Sequence, residues 1–231
     1  MNEIRWERLG AASGFAVVAL GAAGAAFERG APDASATGEE FVAFFADNRG
    51  ALLMQSLLFV LSAGAFLWFL GSLRDFLAKA EGGTGRLSMV AFGAGAVGIA
   101  ISVLIQAPQI ALAVASRTEV EPGLAGVIAG LGYALTLIAY VPLAVMFAAV
   151  AVIAFRTRVF PVWLGWLSAV AAAGYLMMSL GIVVDNGPLV PGAELTYIVL
   201  PIYVVWLIAV TAVMIARLRE PATAATVGGE R

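Results

Sequence analysis

The sequence predicts an all-α membrane protein, a bundle of six transmembrane helices with both termini in the cytoplasm. Of its 231 residues, 62% are hydrophobic and only 12% are charged, and the mean hydropathy is +0.97. A water-soluble domain could not bury this much apolar surface in one core, so lipid is the expected solvent. Two further observations, the lengths of the apolar runs and the distribution of arginine, give the number and the direction of the helices.

Uncharged apolar runs of about 18 residues or more can cross roughly 30 Å of hydrocarbon as helices. The sequence contains six of them, at about 9–27, 51–71, 88–114, 126–155, 162–184 and 195–216. The third and fourth are longer than a perpendicular crossing requires, so tilt, kinks or protruding ends are expected there. Residues 1–219 then form one transmembrane domain, and the polar remainder, 220–231, is expected to be a disordered cytoplasmic tail.

Arginine and lysine are retained on the cytoplasmic side of bacterial membranes, which sets the direction of the first helix. With the N-terminus inside, only Arg29, Arg49 and Arg117 of the 13 basic residues lie outside. Tryptophan prefers the membrane interface, and Trp6 and Trp68 fall near proposed cytoplasmic ends. Trp206 lies within the sixth span, where we expect its indole N–H to bond to a neighbouring helix.

The first outer loop contains a helix signal. Thr37 and Glu40 have the spacing of a capping box, in which each residue bonds the backbone N–H of the other. The following phenylalanines then share one side of a helix, and Gly50 is a plausible stop. We predict a short amphipathic helix over 38–48 on the outer surface, which either packs on the bundle or acts as a mobile lid. The lid residues are Phe41, Phe44 and Phe45.

Glycine spacing predicts where helices approach closely. The pair Gly10 and Gly14 and the pair Gly126 and Gly130 match the small-xxx-small pattern of membrane helix contacts. We interpret these positions as interfaces within the bundle, with self-association as an alternative.

The polar side chains within the spans follow helix faces. Gln106 and Gln109 share one side of the third span, and Tyr133 and Tyr140 share one side of the fourth. Facing lipid, such groups would lack hydrogen-bond partners, so they should turn inward. They either hold the bundle together or surround a ligand. The candidate ligand-binding residues are Gln55, Gln106, Gln109, Tyr133, Tyr140 and Tyr203, near helix-interrupting prolines at 108, 142 and 201.

Composition excludes most catalytic chemistry. The chain has no His and no Cys, and the predicted spans contain no charged residue. Haem and zinc ligation by these residues, thiol nucleophiles and intramembrane proton relays are therefore excluded. An intramembrane enzyme would depend on Asp185 or Glu194, so we expect a protein that is not an enzyme and has no cofactor or metal. The basic cytoplasmic segments favour membrane lipids over nucleic acid as partners.

Four boundary segments carry a family resemblance. They are 44–50 (FFADNRG), 66–74 (FLWFLGSLR), 82–88 (GGTGRLS) and 160–167 (FPVWLGWL). In these segments the chain resembles uncharacterised bacterial integral membrane proteins of about this length. The resemblance implies a membrane topology and no assigned activity, and it places the protein in the bacterial inner membrane.

Two functions follow as hypotheses. The first is an accessory or scaffold protein that acts through helix packing, as a homo-oligomer or with a partner membrane protein. The second is a binder or transporter of a small neutral or amphipathic molecule in a polar pocket in the outer half of the bundle. A tightly packed interior would favour the first, and a cavity bordered by the candidate residues would favour the second.

Overall fold

The structure is a computed structural model, and it describes residues 3–27, 30–32, 36–184, 187, 189 and 194–218. This part of the chain is all-helical, so the predicted fold class is confirmed. The predicted tail, 220–231, lies outside the described residues, as does Asp185. The elements are α1 (Glu3–Ala25), α2 (Gly38–Glu81), α3 (Arg86–Leu104), α4 (Gln106–Ala115), α5 (Pro122–Thr157), α6 (Val162–Ser179), a short 3-10 helix (Leu180–Val183) and α7 (Glu194–Arg217).

Six helical segments of the described chain are long and apolar enough to cross a membrane, as predicted. They are α1, α2, the broken pair α3 and α4, α5, α6 with the 3-10 helix, and α7. Large apolar side chains remain exposed around the bundle, which is the arrangement expected where lipid replaces water. The chain is therefore a multi-pass membrane protein by its fold and composition.

Alternate helix connections lie at opposite ends of the bundle. At one end the Lys79 ammonium contacts the Glu7 carboxylate, and the Arg8 guanidinium donates to the Leu218 carbonyl. We call this the arginine-rich end, and the opposite end the acidic end. The arginine-rich end carries Arg8, Arg74, Lys79, Arg86, Arg156, Arg158 and Arg217, and the acidic end carries Glu39, Glu40, Asp47, Glu119 and Glu121.

Helices α2 and α5 lie at the centre. Helix α2 packs against α1, α3, α4 and α5, and α5 also packs against α3, α4 and α6. Helix α7 closes the arrangement by contacting α1 and α6. The contact between α2 and α5 therefore separates a group formed with α3 and α4 from a group formed with α1, α6 and α7.

Helix α2 begins as the sequence predicts but does not stop where it predicts. The Thr37 hydroxyl accepts from the Glu40 N–H at 3.3 Å, and the Glu40 carboxylate accepts from the Thr37 N–H at 2.7 Å. The helix then continues without a break to Glu81, so the predicted stop at Gly50 and the separate surface helix over 38–48 are wrong. An interior glycine costs only about 1 kcal/mol, and buried Phe45 and Leu52 on either side offset that cost.

The third span is broken within the bundle. Helix α3 ends at Leu104, and α4 begins at Gln106. Pro108 lacks the N–H that would bond to the carbonyl four residues earlier, and its ring crowds that carbonyl. The break therefore lies one turn before the proline. Pro142 and Pro201, by contrast, lie inside the continuous helices α5 and α7.

The predicted glycine contacts differ between the two motifs. A methyl group built at Gly14 would overlap Thr211 of α7, and one built at Gly10 would overlap Ser72 of α2. This pair is therefore used inside the bundle, as expected. In the second motif only Gly126 approaches another helix, because Gly130 faces open space.

Candidate functional site

A cavity lies between α2, α4 and α5 in the half of the bundle nearer the acidic end. Its volume is about 260 Å³. No acidic or basic side chain is among the described residues that line it. The lining residues are Ala31, Pro32, Phe41, Phe44, Phe45, Leu52, Gln55, Phe59, Ile105, Gln106, Pro108, Gln109, Leu112, Ala129, Gly132, Tyr133 and Thr136.

The glutamine Gln109 joins α4 to α2 at one wall of the cavity. Its side-chain Nε2 donates to Gln55 Oε1 at 2.9 Å and to Ser56 Oγ at 2.9 Å, and it lies 3.2 Å from the Leu52 carbonyl oxygen. An amide nitrogen carries two hydrogens, so three acceptors around it saturate its donor capacity. Gln109 is therefore held by the protein itself.

Gln106 presents the opposite case. Its side-chain oxygen Oε1 is buried and accepts no hydrogen bond in the described structure. Leaving a buried acceptor unsatisfied costs on the order of 1–3 kcal/mol, so such groups are rare without a reason. Gln106 follows directly after the helix break at Ile105, and it lines the cavity. The residue that carries this unbonded acceptor therefore belongs to the wall of the cavity.

Aromatic rings form much of the remaining wall. Phe41 and Phe45, near the start of α2, are buried, and Phe44 stacks edge-on against Phe45 with ring centroids 5.6 Å apart. They pack with Leu112 of α4 and Ala125 of α5 in a small hydrophobic cluster at the acidic end. The predicted lid residues thus line the cavity, as part of the first turns of a continuous helix that is packed on its neighbours.

Tyr133 closes the cavity from α5. Its hydroxyl donates to the Pro32 carbonyl oxygen at 2.7 Å. This bond holds the loop that follows α1 next to the cavity, and Ala31 and Pro32 of that loop line it.

Two of the predicted site residues lie elsewhere. Tyr140 is two turns along α5 from Tyr133, about 10 Å nearer the arginine-rich end, and does not line the cavity. Its ring lies 5.7 Å from that of Tyr175, and its side chain is hydrogen-bonded to Thr196. Tyr203 packs on Phe147 with centroids 6.3 Å apart. Neither lines the cavity: the stripe of polar residues on α5 extends past it to Tyr140, and Tyr203 is on α7, which contributes no lining residue.

Sequence reasoning missed two contributors. Ser56 accepts one of the bonds from Gln109, and Phe59 adds a ring to the wall. Phe59 is one turn beyond Gln55, so helical spacing could have found it. Ser56 carried no comparable signal, because residues adjacent in a helix do not lie on the same face.

The chain matches no protein-family model, no curated protein and no solved structure. The chemistry of the cavity must therefore be inferred from its own residues.

Proposed function

We propose that this protein binds a small neutral or amphipathic molecule in the cavity between α2, α4 and α5, and that it is not an enzyme. The observation that carries the proposal is the buried, unbonded Oε1 of Gln106. The other polar side chains of the wall form hydrogen bonds within the protein: Gln55, Gln109, Tyr133 and Thr136. The occupant is a molecule with one N–H or O–H donor for Gln106 and a flat apolar body for the phenylalanines. A free ion is a poor candidate, because no described lining residue carries a charge to neutralise it.

The size of the cavity supports a small occupant. Pockets for drug-sized ligands usually measure about 300–1,000 Å³, and this one is about 260 Å³. The described lining has no charged side chain, and the hydroxyls of Tyr133 and Thr136 donate to backbone carbonyls with no base beside them to activate them, which supports binding over catalysis. Tyr133, whose hydroxyl already donates to Pro32, serves to shape the wall.

The scaffold hypothesis stays a prediction with less support. The best small-residue motif, Gly10 with Gly14, is occupied by α2 and α7 of the same chain. It is therefore not free for a second copy or a partner helix.

Indole and N-methylindole form a matched pair of probes for the cavity, because only indole has an N–H donor. We expect indole to bind the purified protein about fivefold more tightly than N-methylindole, since one hydrogen bond is worth roughly 1 kcal/mol. Titration calorimetry in one detergent measures both affinities. The Gln106→Leu variant should bind the two probes equally.

Ser102→Ala is the control for this experiment. Ser102 lies one turn before Gln106, donates to the Gly98 carbonyl at 2.9 Å and does not line the cavity. The variant should keep the preference for indole. Equal binding of the two probes by the unaltered protein, or a preference that survives in Gln106→Leu, would overturn the proposal.

The same protein is proposed to lie in the bacterial inner membrane with its arginine-rich end in the cytoplasm. The positive-inside distribution and the resemblance described above support this orientation. Exposed Trp6, Trp68, Trp163 and Trp166 near the arginine-rich end fit an interface at that level.

A further inference from the structure

A second, larger cavity lies at the arginine-rich end, between α1, α2 and α7. Its volume is about 540 Å³. Helix α2 places it about 30 Å from the first cavity, the rise of the 20 residues from Gln55 to Asp75. We call it the interfacial groove. Its lining includes Trp6, Trp68, Phe76, Ala80, Met214 and Arg217.

The groove has an apolar wall bounded by tryptophan. The ring centroids of Trp6 and Trp68 lie 6.4 Å apart at its edge, and both residues are at least half exposed. Phe76 packs on Phe160 behind the groove, with ring centroids 5.4 Å apart. Indole rings settle at the level of lipid headgroups, so the groove lies where acyl chains meet headgroups.

Among the described residues that line the groove, the charged side chains form ion pairs except at Arg217. Lys79 pairs with Glu7 at 2.6 Å, and the carboxylate of Asp75 pairs with Arg74 at 2.8 Å. Arg217 also lines the groove, and it makes no ion pair with any described residue. A guanidinium with no ion pair to a described residue can donate two parallel hydrogen bonds to a phosphate.

From this geometry we infer that the interfacial groove binds one glycerophospholipid, with its phosphate on Arg217 and an acyl chain along Phe76 and Met214. A phosphate needs the free cation, and an acyl chain needs the apolar wall. Only a lipid carries both groups at the depth that the tryptophans mark. This site is separate from the proposed ligand cavity and does not depend on it.

Native mass spectrometry tests the inference directly. The full-length protein is extracted in a mild detergent and supplied with phosphatidylglycerol or with the matching diacylglycerol, which lacks the phosphate. We expect one tightly held phosphatidylglycerol and no retained diacylglycerol. Arg217→Gln should weaken retention about fivefold, the size expected from one arginine near the membrane surface.

Two further variants complete the experiment. Arg86→Gln removes an exposed arginine at the same end that does not line the groove, and it should retain the lipid. Ala80→Phe fills the groove and should exclude the lipid while leaving Arg217 intact. Helix content by circular dichroism shows that each variant is folded.

Three outcomes would overturn the inference. Equal lipid retention by the unaltered protein and by Arg217→Gln would remove the role of the guanidinium. An equal loss in Arg86→Gln would show diffuse attraction to the basic surface. Displacement of the lipid by millimolar inorganic phosphate would show an anion site without an acyl groove. The Gln106→Leu variant should retain the lipid, so a failure here is distinguishable from a failure of the proposed function.

Discussion

The indole Nε1 of Trp206 donates a hydrogen bond to Ser168 Oγ, 2.8 Å away, and both residues are fully buried. The bond links α7 to α6 in the interior of the bundle. Ser168 in turn donates to the Leu164 carbonyl at 2.8 Å. The expected role of Trp206, packing inside the bundle with its N–H bonded to another helix, is confirmed.

We predict that Ser168→Ala destabilises the protein by about 1 kcal/mol, because the buried indole N–H loses its acceptor. Trp206→Phe should also destabilise it, through the same bond and through lost contact with Phe147, whose ring lies 4.7 Å away. Unfolding in mixed micelles, followed by circular dichroism, measures each change.

The double variant identifies the shared bond. If Ser168 and Trp206 act through one interaction, the double variant loses less stability than the sum of the single variants. Strict additivity would contradict the coupling.

The two glutamines of α4 should respond in opposite ways to replacement by leucine. Gln109→Leu breaks the connection to Gln55 and Ser56 and leaves their groups short of a partner, so a loss of about 1–2 kcal/mol is expected. Gln106→Leu removes an acceptor with no described partner, so stability should be unchanged or higher.

Unfolding measurements without added ligand compare the two variants on the same helix. A Gln106→Leu variant that is as unstable as Gln109→Leu would show that Gln106 supports the fold. The unbonded Oε1 of Gln106 would then no longer support a role in ligand binding.

Gly38 and Gly50 provide a matched test of helix α2. A methyl group at Gly38 would overlap the carbonyl oxygen of Pro122 at the start of α5, where the obstacle is backbone and cannot move aside. Gly38→Ala should therefore separate α2 from α5 and destabilise the acidic end.

Gly50 lies inside α2 and faces open space. Gly50→Ala should stabilise the protein by about 0.5–1 kcal/mol, because alanine loses less backbone entropy in a helix. Thermal unfolding of both variants checks the pair. Destabilisation by Gly50→Ala would instead support the helix end that the sequence predicted at Gly50.

Sequence reasoning reached the fold because lipid imposes one simple rule, that each span be long, apolar and helical. It brought Gln55, Gln106, Gln109 and Tyr133 to one cavity because each shows the periodicity of a buried helix face. It could not give the depth of each residue within the bundle, which separates Tyr140 from that cavity.

The error at Gly50 has a similar cause. Local signals mark where a helix can stop, but tertiary contacts decide whether it does. Phe41 and Phe45, before Gly50, lie in the same buried cluster as Leu52, after it. This shared burial keeps α2 continuous through the glycine.

Acid should weaken the connection between α2 and α3. The Glu81 carboxylate accepts from the N–H groups of Leu87 and Ser88, each at 2.8 Å, and so caps α3 from the end of α2. Burial alone would raise its pKa, but these bonds and the Arg156 charge hold the pKa of Glu81 below its ordinary value of 4.5. The group therefore binds protons less readily when folded than when unfolded.

The sign of the pH effect follows. The stabilisation is fully present above the ordinary pKa and is lost as pH falls through the lower, folded one. Glu81→Gln should lower stability at pH 7 by about 1 kcal/mol or less, the size of a helix cap. The difference between the unaltered protein and this variant should shrink below about pH 4.5. A difference that is constant from pH 7 to pH 3 would contradict the cap.

Membrane orientation can be measured at two exposed threonines at opposite ends of the bundle. Thr84 lies in the turn between α2 and α3 at the arginine-rich end, and Thr118 follows α4 at the acidic end. The chain contains no cysteine, so Thr84→Cys and Thr118→Cys each introduce a single reactive thiol. With the arginine-rich end inside, a membrane-impermeant maleimide should label Thr118→Cys on intact cells and Thr84→Cys only after lysis. Labelling of Thr84→Cys on intact cells would reverse the orientation and move the interfacial groove to the outer leaflet.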